Sequence, residues 1–271
     1  MPVPDDWQAP VWTPAQQVQA ALQAHAYAVL RPQDVSALSG CTLAELNALN
    51  DSWNQLAPDH YLKDGGHYRH RRHACFTLQG ERLTPLPQRA HWQPLEYNAL
   101  HGGMQRWFEP MQGSVLAQPV WSRLLVWLGK VCSAQVRQAP QTAPVAQPHT
   151  ELGAGLDDGG SLGPWFVEAH QFRIDTQGGI GRPTPEGAHR DGVDFVAVFM
   201  VGRSGIKGGE TRVFEAAGPH GQRFTLSEPW SLLLLDDARV IHESTPIQPL
   251  ADAGHRDTLV ITLRRGGFQG A

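Results

Sequence analysis

Three residues in the second half of the chain have the types and the spacing of a metal site. His189 and Asp191 flank Arg190 in the sequence GAHRDG, and His242 follows later in the sequence RVIHES. In an extended segment, residues two apart point to the same face, so His189 and Asp191 can reach one ion while Arg190 points away. Two histidines and one carboxylate on one side of an ion leave positions open, which suits Fe(II) binding O₂ together with a bidentate co-substrate. The triplet by itself is also typical of a turn, because glycines lie on both sides of it.

Arg256 is a candidate anchor for that co-substrate. A 2-oxo acid such as 2-oxoglutarate chelates iron with its keto acid end, and its far carboxylate needs a cation. A guanidinium binds a carboxylate through two parallel hydrogen bonds, and Thr258 lies on the same face of a strand as Arg256. The alternative interpretation is an exposed arginine that opens an edge strand, since the neighbouring His255 and Asp257 are equally polar.

The part of the chain that carries these residues predicts strands almost throughout. Turn signals such as Gly178-Gly179, Gly208-Gly209 and Gly218-Pro219 separate short segments with strand character. Short strands at regular intervals predict a jelly roll. The predicted strands cover 165–174, 188–190, 194–201, 210–216, 222–226, 231–236, 239–244 and 256–264.

The first half predicts helices together with short strands at 26–30 and 74–78. Thr42 and Glu45 have the spacing of a capping box, and apolar residues at helical spacing predict a helix over 119–135. Residues 139–164 are rich in Pro, Gly, Ala and Gln and predict a loop. We therefore expect one α+β domain over 1–271, with a helical and mixed N-terminal part (1–138), the loop 139–164 and a jelly-roll core over 165–265.

The composition predicts a soluble globular protein, because 41% of the residues are apolar and 18% are charged. The net charge of −4 does not favour nucleic acid or anionic lipid as a partner. Cys41, Cys75 and Cys132 are widely spaced, which argues against a disulfide framework or a structural zinc site and fits a reducing compartment. No secretory signal or membrane-spanning run stands out. We expect a cytoplasmic protein with a small-molecule substrate, and leave open whether it is a homodimer.

The order of the motifs HRDG, DFVAVFMV, GGET, LLLLDD, VIHESTPI and RDTLVITLR resembles the Fe(II)/2-oxoglutarate-dependent dioxygenase superfamily. Within it, WFVEAHQFRI and PTPEGAHRDGVDFVAVFMV are similar to the bacterial free amino-acid dioxygenases of the L-isoleucine 4-hydroxylase type and their biofilm- and motility-linked, BsmA-like homologues. The similar region covers residues 165–265, and YLKDGGHYRHRRHACF at 61–76 also looks like a family element.

The resemblance implies a cupin-like double-stranded β-helix with helices packed on one sheet. It implies iron held by His189, Asp191 and His242, and 2-oxoglutarate anchored by Arg256. It also implies that the enzyme uses O₂ to hydroxylate or sulfoxidise a free L-amino acid, with release of succinate and CO₂. Related halogenases lack the carboxylate ligand, so the presence of Asp191 favours hydroxylation.

Five further residues are candidates for binding the substrate. Gln171 and Arg173 alternate along the strand 165–174, one face of which would line the barrel; a surface or ion-paired arginine is the alternative for Arg173. Glu186 suits a substrate ammonium or the orientation of a metal ligand, although a plain loop glutamate has the same pattern. Arg69 and Arg71 belong to a basic run that would attract anions at the barrel mouth. The basic run has two other interpretations, a solvated face and a nucleic-acid footprint.

Two rival functions remain open from the sequence. One is an enzyme of the same fold that hydroxylates protein or peptide residues, and the other is a cupin-like metal-binding protein without turnover. A nucleic-acid-modifying dioxygenase is a more distant alternative.

Overall fold

The computed structural model describes residues 8–138 and 162–270, so the loop expected over 139–164 lies almost wholly outside the described residues. The helices are α1 (Val18–His25), α2 (Pro32–Ser39), α3 (Leu43–Asn47), α4 (Gly113–Leu116) and α5 (Pro119–Gln138). None of them has both the length and the hydropathy needed to span a bilayer. The capping box of α3 is confirmed, because Thr42 Oγ1 accepts the N–H of Glu45 while Glu45 Oε2 accepts the N–H of Thr42.

Thirteen strands form three antiparallel sheets in the described part of the chain. They are β1 (Tyr27–Leu30), β2 (Ala57–Pro58), β3 (Arg69–Gln79), β4 (Arg82–Pro85), β5 (Trp165–Asp175), β6 (Phe195–Ser204), β7 (Ile206–Gly208), β8 (Thr211–Glu215), β9 (Gly221–Phe224), β10 (Leu232–Asp236), β11 (Val240–Ser244), β12 (Ile247–Pro249) and β13 (His255–Arg264). The large sheet has the order β1-β10-β6-β13-β5-β3-β2, with β4 paired to β3. The two small sheets have the orders β11-β8-β9 and β12-β7.

The helices cover one face of the large sheet. Trp121, Leu124 and Leu128 of α5 are buried in one apolar cluster with Val167 and Ala169 of β5. Burying a large apolar side chain stabilises the fold by about 1.5–3 kcal/mol, so this cluster holds the helical layer on the sheet. Because side chains alternate along a strand, the even-numbered residues of β5 face the other way.

The opposite face of the large sheet meets the small sheets. A second apolar cluster, which includes Val196 and Met200 of β6, Leu235 of β10 and Val213 of β8, fills part of the space between them. This arrangement is the predicted α+β fold, a double-stranded β-helix with helices packed on one sheet. The segment around 188–190 does not form a strand and pairs only through an isolated bridge between His189 and His242.

Strands from the N-terminal half belong to the large sheet as well. β3 is longer than the predicted segment 74–78 and pairs with β5 along most of its length. In that register Arg71 lies opposite Phe172 and His73 opposite His170. The N-terminal half therefore supplies side chains to the same face of the sheet as the second half.

Candidate active site

His189, Asp191 and His242 come together in the space between the sheets. The backbones of His189 and His242 pair through two hydrogen bonds, with N···O distances of 3.0 and 2.9 Å. Nε2 of His189 lies 3.7 Å from Oδ1 of Asp191, and Nε2 of His242 lies 3.7 Å from Oδ2. One ligand atom from each residue lies within 4.8 Å of the other two. The HRD segment and β11 therefore bring two imidazoles and a carboxylate to one point.

Hydrogen bonds fix the orientation of these three side chains. Nδ1–H of His189 donates to the carbonyl oxygen of Gly187 at 2.9 Å, which leaves Nε2 to bind a metal. The carboxylate of Asp237 accepts the backbone N–H groups of residues 191, 192 and 193 at 3.0, 2.8 and 3.1 Å, and so holds the loop that carries Asp191. Nε2 of Gln93 donates to Oδ1 of Asp191 at 3.0 Å.

The electrostatics of the three residues suit a cation. Burial raises the pKa of Asp191, but His189 and His242 outweigh burial and hold this pKa below its usual range, so the carboxylate is ionised. Burial, with His189 beside it, lowers the pKa of His242 to about 4. Burial also lowers the pKa of His189, but Asp191 and Glu186 overcome it and raise this pKa to about 10. A divalent ion competes with that proton, because an imidazole must be deprotonated to bind a metal.

Arg256 lines the same cavity, and Thr258 lies on the same face of β13. Arg256 is only 4% exposed, and its Nε–H has no hydrogen-bond partner within residues 8–138 and 162–270. Burial lowers the pKa of Arg256 to about 10, so the guanidinium remains charged at neutral pH. An unpaired buried charge is costly, and this position therefore suits a carboxylate that arrives with a ligand.

Arg69 and Arg71 project from β3 into the cavity. Both are buried, at 5% and 3% exposed, so neither the solvated face nor the nucleic-acid footprint describes them. Nε of Arg69 donates to Oδ2 of Asp59 at 2.7 Å. The guanidinium of Arg71 lies 3.6 Å from the centre of the Phe108 ring, which fixes it by a cation–π contact. The basic run is therefore part of the cavity wall.

Glu186 and two residues that sequence reasoning missed complete this wall. Oε1 of Glu186 lies 3.7 Å from Nε2 of His189. Gln93 and Arg106 come from an irregular segment that the backbone pairing of His91 with Arg106 holds together. Nη2 of Arg106 donates to Oε1 of Gln93 at 2.8 Å. Because this segment forms no helix or long strand, no periodicity in the sequence pointed to these two residues.

The expectation that Gln171 and Arg173 line the cavity is wrong. They share the helix-facing side of β5 with Val167 and Ala169, whereas the even-numbered positions of β5 line the cavity. Arg173 donates to both carboxylate oxygens of Asp257, at 2.8 and 2.7 Å. Gln171 donates to Oγ of Ser52 at 2.7 Å. The alternation along the strand was right, but the site was assigned to the wrong face.

A second group with metal-ligand chemistry lies beside the first. The ligand atoms of His73, His91, Glu168 and His170 lie within 4.8 Å of one another, and all four residues are buried. These side chains satisfy each other, because Nε2 of His73 and Nδ1 of His91 donate to Oε1 of Glu168 at 3.1 and 3.3 Å. Nδ1 of His170 accepts a hydrogen bond from Arg71 at 2.7 Å. A divalent ion there would face that guanidinium, so the first group is the better iron site.

The fold and the cavity define the class of Fe(II)/2-oxoglutarate-dependent oxygenases. A facial set of two histidines and one aspartate suits Fe(II), and the buried unpaired guanidinium of Arg256 suits the far carboxylate of 2-oxoglutarate. The residues present therefore fit both groups.

Comparisons with known proteins agree with this class. The family model for 2OG-Fe dioxygenases matches residues 50–262. The crystal structure of a BsmA homologue from Methylobium petroleophilum PM1 is 51% identical, with 97% of this chain and 97% of that chain covered and a TM-score of 0.83. The chain belongs to the 2OG-Fe dioxygenase family and is BsmA-like; it is an oxidoreductase that uses Fe(II), 2-oxoglutarate and O₂.

Two more distant structures share the fold. IDO from Bacillus thuringiensis is 15% identical, with 94% of this chain and 100% of that chain covered and a TM-score of 0.69. The Fe(II)/(alpha)ketoglutarate-dependent dioxygenase TqaL is 21% identical, with 93% of this chain and 87% of that chain covered and a TM-score of 0.63. No curated protein matches the chain.

Proposed function

We propose that the enzyme hydroxylates a free L-amino acid, or sulfoxidises one that carries sulfur, while 2-oxoglutarate is converted to succinate and CO₂. His189, Asp191 and His242 hold the iron, and Arg256 with Thr258 holds the far carboxylate of 2-oxoglutarate. The observation that carries the proposal is that the ligand set and the unpaired guanidinium of Arg256 line one cavity.

The chain's own residues supply position and charge. Bound iron, with 2-oxoglutarate and O₂, supplies the oxidising chemistry. His189 is oriented by the carbonyl of Gly187, and the loop of Asp191 is held by Asp237. Arg256 fixes the tail of the co-substrate, which leaves the reacting atoms little freedom and lowers the entropic cost of the reaction.

The cavity favours a small polar substrate over a peptide. The irregular segment that carries His91, Gln93 and Arg106 forms part of its wall, beside the strands of the large sheet. Arg69, Arg71 and Arg106 give the cavity wall positive charge that attracts a substrate carboxylate. Glu186, whose Oε2 is buried without a partner in the described part of the chain, offers negative charge to an ammonium. Opposite charges inside one small cavity match a zwitterion.

The test is turnover with substrates of both kinds. The protein is incubated under air with Fe(II), ascorbate and 2-oxoglutarate, together with single proteinogenic L-amino acids or with proline-containing peptides. We expect one or more amino acids to stimulate succinate release and to gain one oxygen atom by mass spectrometry, and we expect Asp191→Ala to remove both signals. Stimulation by peptides alone would show that the enzyme is a peptide hydroxylase instead.

The proposed location is the cytoplasm. Cys41, Cys75 and Cys132 are free and buried, which is compatible with a reducing compartment. The proposed partner is the small-molecule substrate rather than a nucleic acid.

A further inference from the structure

Two of the four arginines that line the cavity form no ion pair within the described residues. Arg69 and Arg71 lie near Oδ2 of Asp59, at 2.7 and 3.9 Å. Arg256 and Arg106 have no such carboxylate partner. Each also has a buried Nε–H that donates to nothing in the described chain, a feature that Arg71 shares. Arg106 is only 2% exposed. Since Arg256 suits the carboxylate of the co-substrate, Arg106 suits a second carboxylate from another ligand.

Asp59, Glu186 and Glu168 act on Arg106 through their charges, but none of them forms an ion pair with it in the described part of the chain. Glu168 accepts hydrogen bonds from His73 and His91 and lies 3.7 Å from a guanidinium nitrogen of Arg89. Burial, followed by the charge of Arg69, lowers the pKa of Arg106 to about 10, so Arg106 remains charged at neutral pH. A charged and buried guanidinium with a free N–H has a strong preference for an anion.

Arg106 is also connected to a metal ligand through one side chain. Nη2 of Arg106 donates to Oε1 of Gln93 at 2.8 Å, and Nδ2 of Asn98 donates to the same oxygen at 3.2 Å. Because Oε1 accepts these bonds, the other end of the amide must be its N–H₂ group, and Nε2 donates to Oδ1 of Asp191 at 3.0 Å. Two hydrogen bonds thus lead from the guanidinium to Asp191.

We infer that Arg106 binds the carboxylate of the amino-acid substrate and that Gln93 is a positioning residue that connects this site with Asp191. The inference rests on the proposed function, because it takes a free amino acid as the ligand. A carboxylate on Arg106 competes with Oε1 of Gln93 for the guanidinium, so the hydrogen bond from Arg106 to Gln93 weakens. The amide of Gln93, which orients Asp191, then shifts. Amino acid and metal therefore alter each other's affinity by the same factor.

Binding without turnover tests the carboxylate site. Wild-type protein loaded with Zn(II) and 2-oxoglutarate is screened by thermal shift with the proteinogenic L-amino acids, and each one that binds is titrated as the acid and as its amide. We expect Arg106→Met to weaken the acids about 10- to 100-fold, the range for charged hydrogen bonds. Arg106→Lys should recover part of this loss, because it keeps the charge without the fork. Arg223→Met, at an exposed position of β9, is the control and should bind as the wild type does.

Metal affinity and a spectrum test the link through Gln93. Removing a side chain that orients a ligand typically weakens metal binding about 10-fold or more, and we expect this of Gln93→Leu in Co(II) titrations. Under anaerobic conditions with Fe(II) and 2-oxoglutarate, a bound amino acid should shift the visible charge-transfer band of the wild type. The same amino acid at saturation should leave the band of Gln93→Leu almost unchanged, an effect that loss of stability alone does not produce.

Several results would overturn the inference: no L-amino acid binds the Zn(II)-loaded protein, amides bind as well as acids, or Arg106→Met binds as tightly as the wild type. A normal band shift in Gln93→Leu would remove the link to Asp191. If no amino acid binds, the proposed function fails together with the inference. If amino acids bind the Zn(II)-loaded protein and none is oxidised with Fe(II), the proposed function fails while the carboxylate site on Arg106 stands. If amino acids are oxidised but Arg106→Met binds them as the wild type does, only the inference fails.

Discussion

Replacing Arg256 with methionine separates the binding of 2-oxoglutarate from the stability of the fold. Methionine fills much of the same volume but has no charge and no donor. In the wild type the guanidinium is 4% exposed and forms no ion pair within the described residues. Removing it therefore leaves no buried carboxylate without its partner, and the protein without ligand should be at least as stable as the wild type.

The substitution should weaken the binding of 2-oxoglutarate and should not lower the stability of the protein without ligand. Hydrogen bonds to charged groups contribute about 1.5–3 kcal/mol, and at the upper end the affinity falls roughly 100-fold. At a concentration of 100 times the wild-type Kd, 2-oxoglutarate stabilises the wild type by about 2.7 kcal/mol, but a variant with a 100-fold weaker Kd by only about 0.4 kcal/mol. With about 2–4 °C for each kcal/mol in a protein of this size, the wild-type Tm should rise roughly 5–10 °C and the variant roughly 1 °C.

The assay combines melting curves of the Zn(II)-loaded protein, with and without 2-oxoglutarate, with the KM for 2-oxoglutarate from succinate release. Arg256→Lys is the comparison and should lie between the wild type and Arg256→Met, because lysine keeps the charge but not the two parallel hydrogen bonds. A KM for 2-oxoglutarate that changes less than threefold in Arg256→Met, with an undiminished rise in Tm, would refute Arg256 as the anchor.

Three further predictions follow from the same geometry. His189→Ala and Asp191→Ala should each abolish succinate release and lower the bound iron measured by mass spectrometry, while circular dichroism still shows a cooperative melt; activity in both variants would exclude this iron site. Without metal, the free energy of unfolding should fall as pH rises from 6.5 to about 10, because the pKa of His189 is raised to about 10 in the folded protein and the residue is neutral above 6.5 in the unfolded chain. Urea unfolding in EDTA measures this slope, and Asp191→Asn should flatten it. Arg173→Met should lower the free energy of unfolding by about 1–3 kcal/mol, because Asp257 loses its partner. The KM for 2-oxoglutarate and the KM for the amino acid should stay unchanged; a raised KM for the amino acid would return Arg173 to the substrate site.

Features that depend on alternation along one extended segment could be predicted from the sequence. His189 and Asp191 lie two residues apart and both reach the site, and Arg256 and Thr258 share the cavity face of β13. This holds although the register of β13 against β6 shifts between Asp257 and Thr258. The alternation of side chains along one strand survives such irregularities because it depends on the chain itself and not on its partner strand.

Features that depend on an irregular segment could not be predicted. Gln93 and Arg106 lie thirteen positions apart in a part of the chain without helix or strand periodicity, and their contact depends on the pairing of His91 with Arg106. No local pattern carries that pairing. The side chain of a glutamine is also not specific to metal sites, so only the structure identifies Gln93 as a partner of Asp191.

The face of β5 was a different kind of error, because the sequence contains the information to correct it. Val167 and Ala169 share the parity of Gln171 and Arg173, and an apolar pair of that kind is what a helix-covered face requires. The polarity of the strand reverses along its length: Phe172 has an apolar side chain yet lines the cavity, whereas Arg173 is charged yet lies on the helix-facing side. The reversal occurs because the helix-facing side of the strand meets polar partners at this end, where Arg173 donates to Asn54 and Asp257. The face that lines a cavity is therefore better predicted by counting alternate residues from the apolar end of the strand than from the polarity of the residues nearest the site.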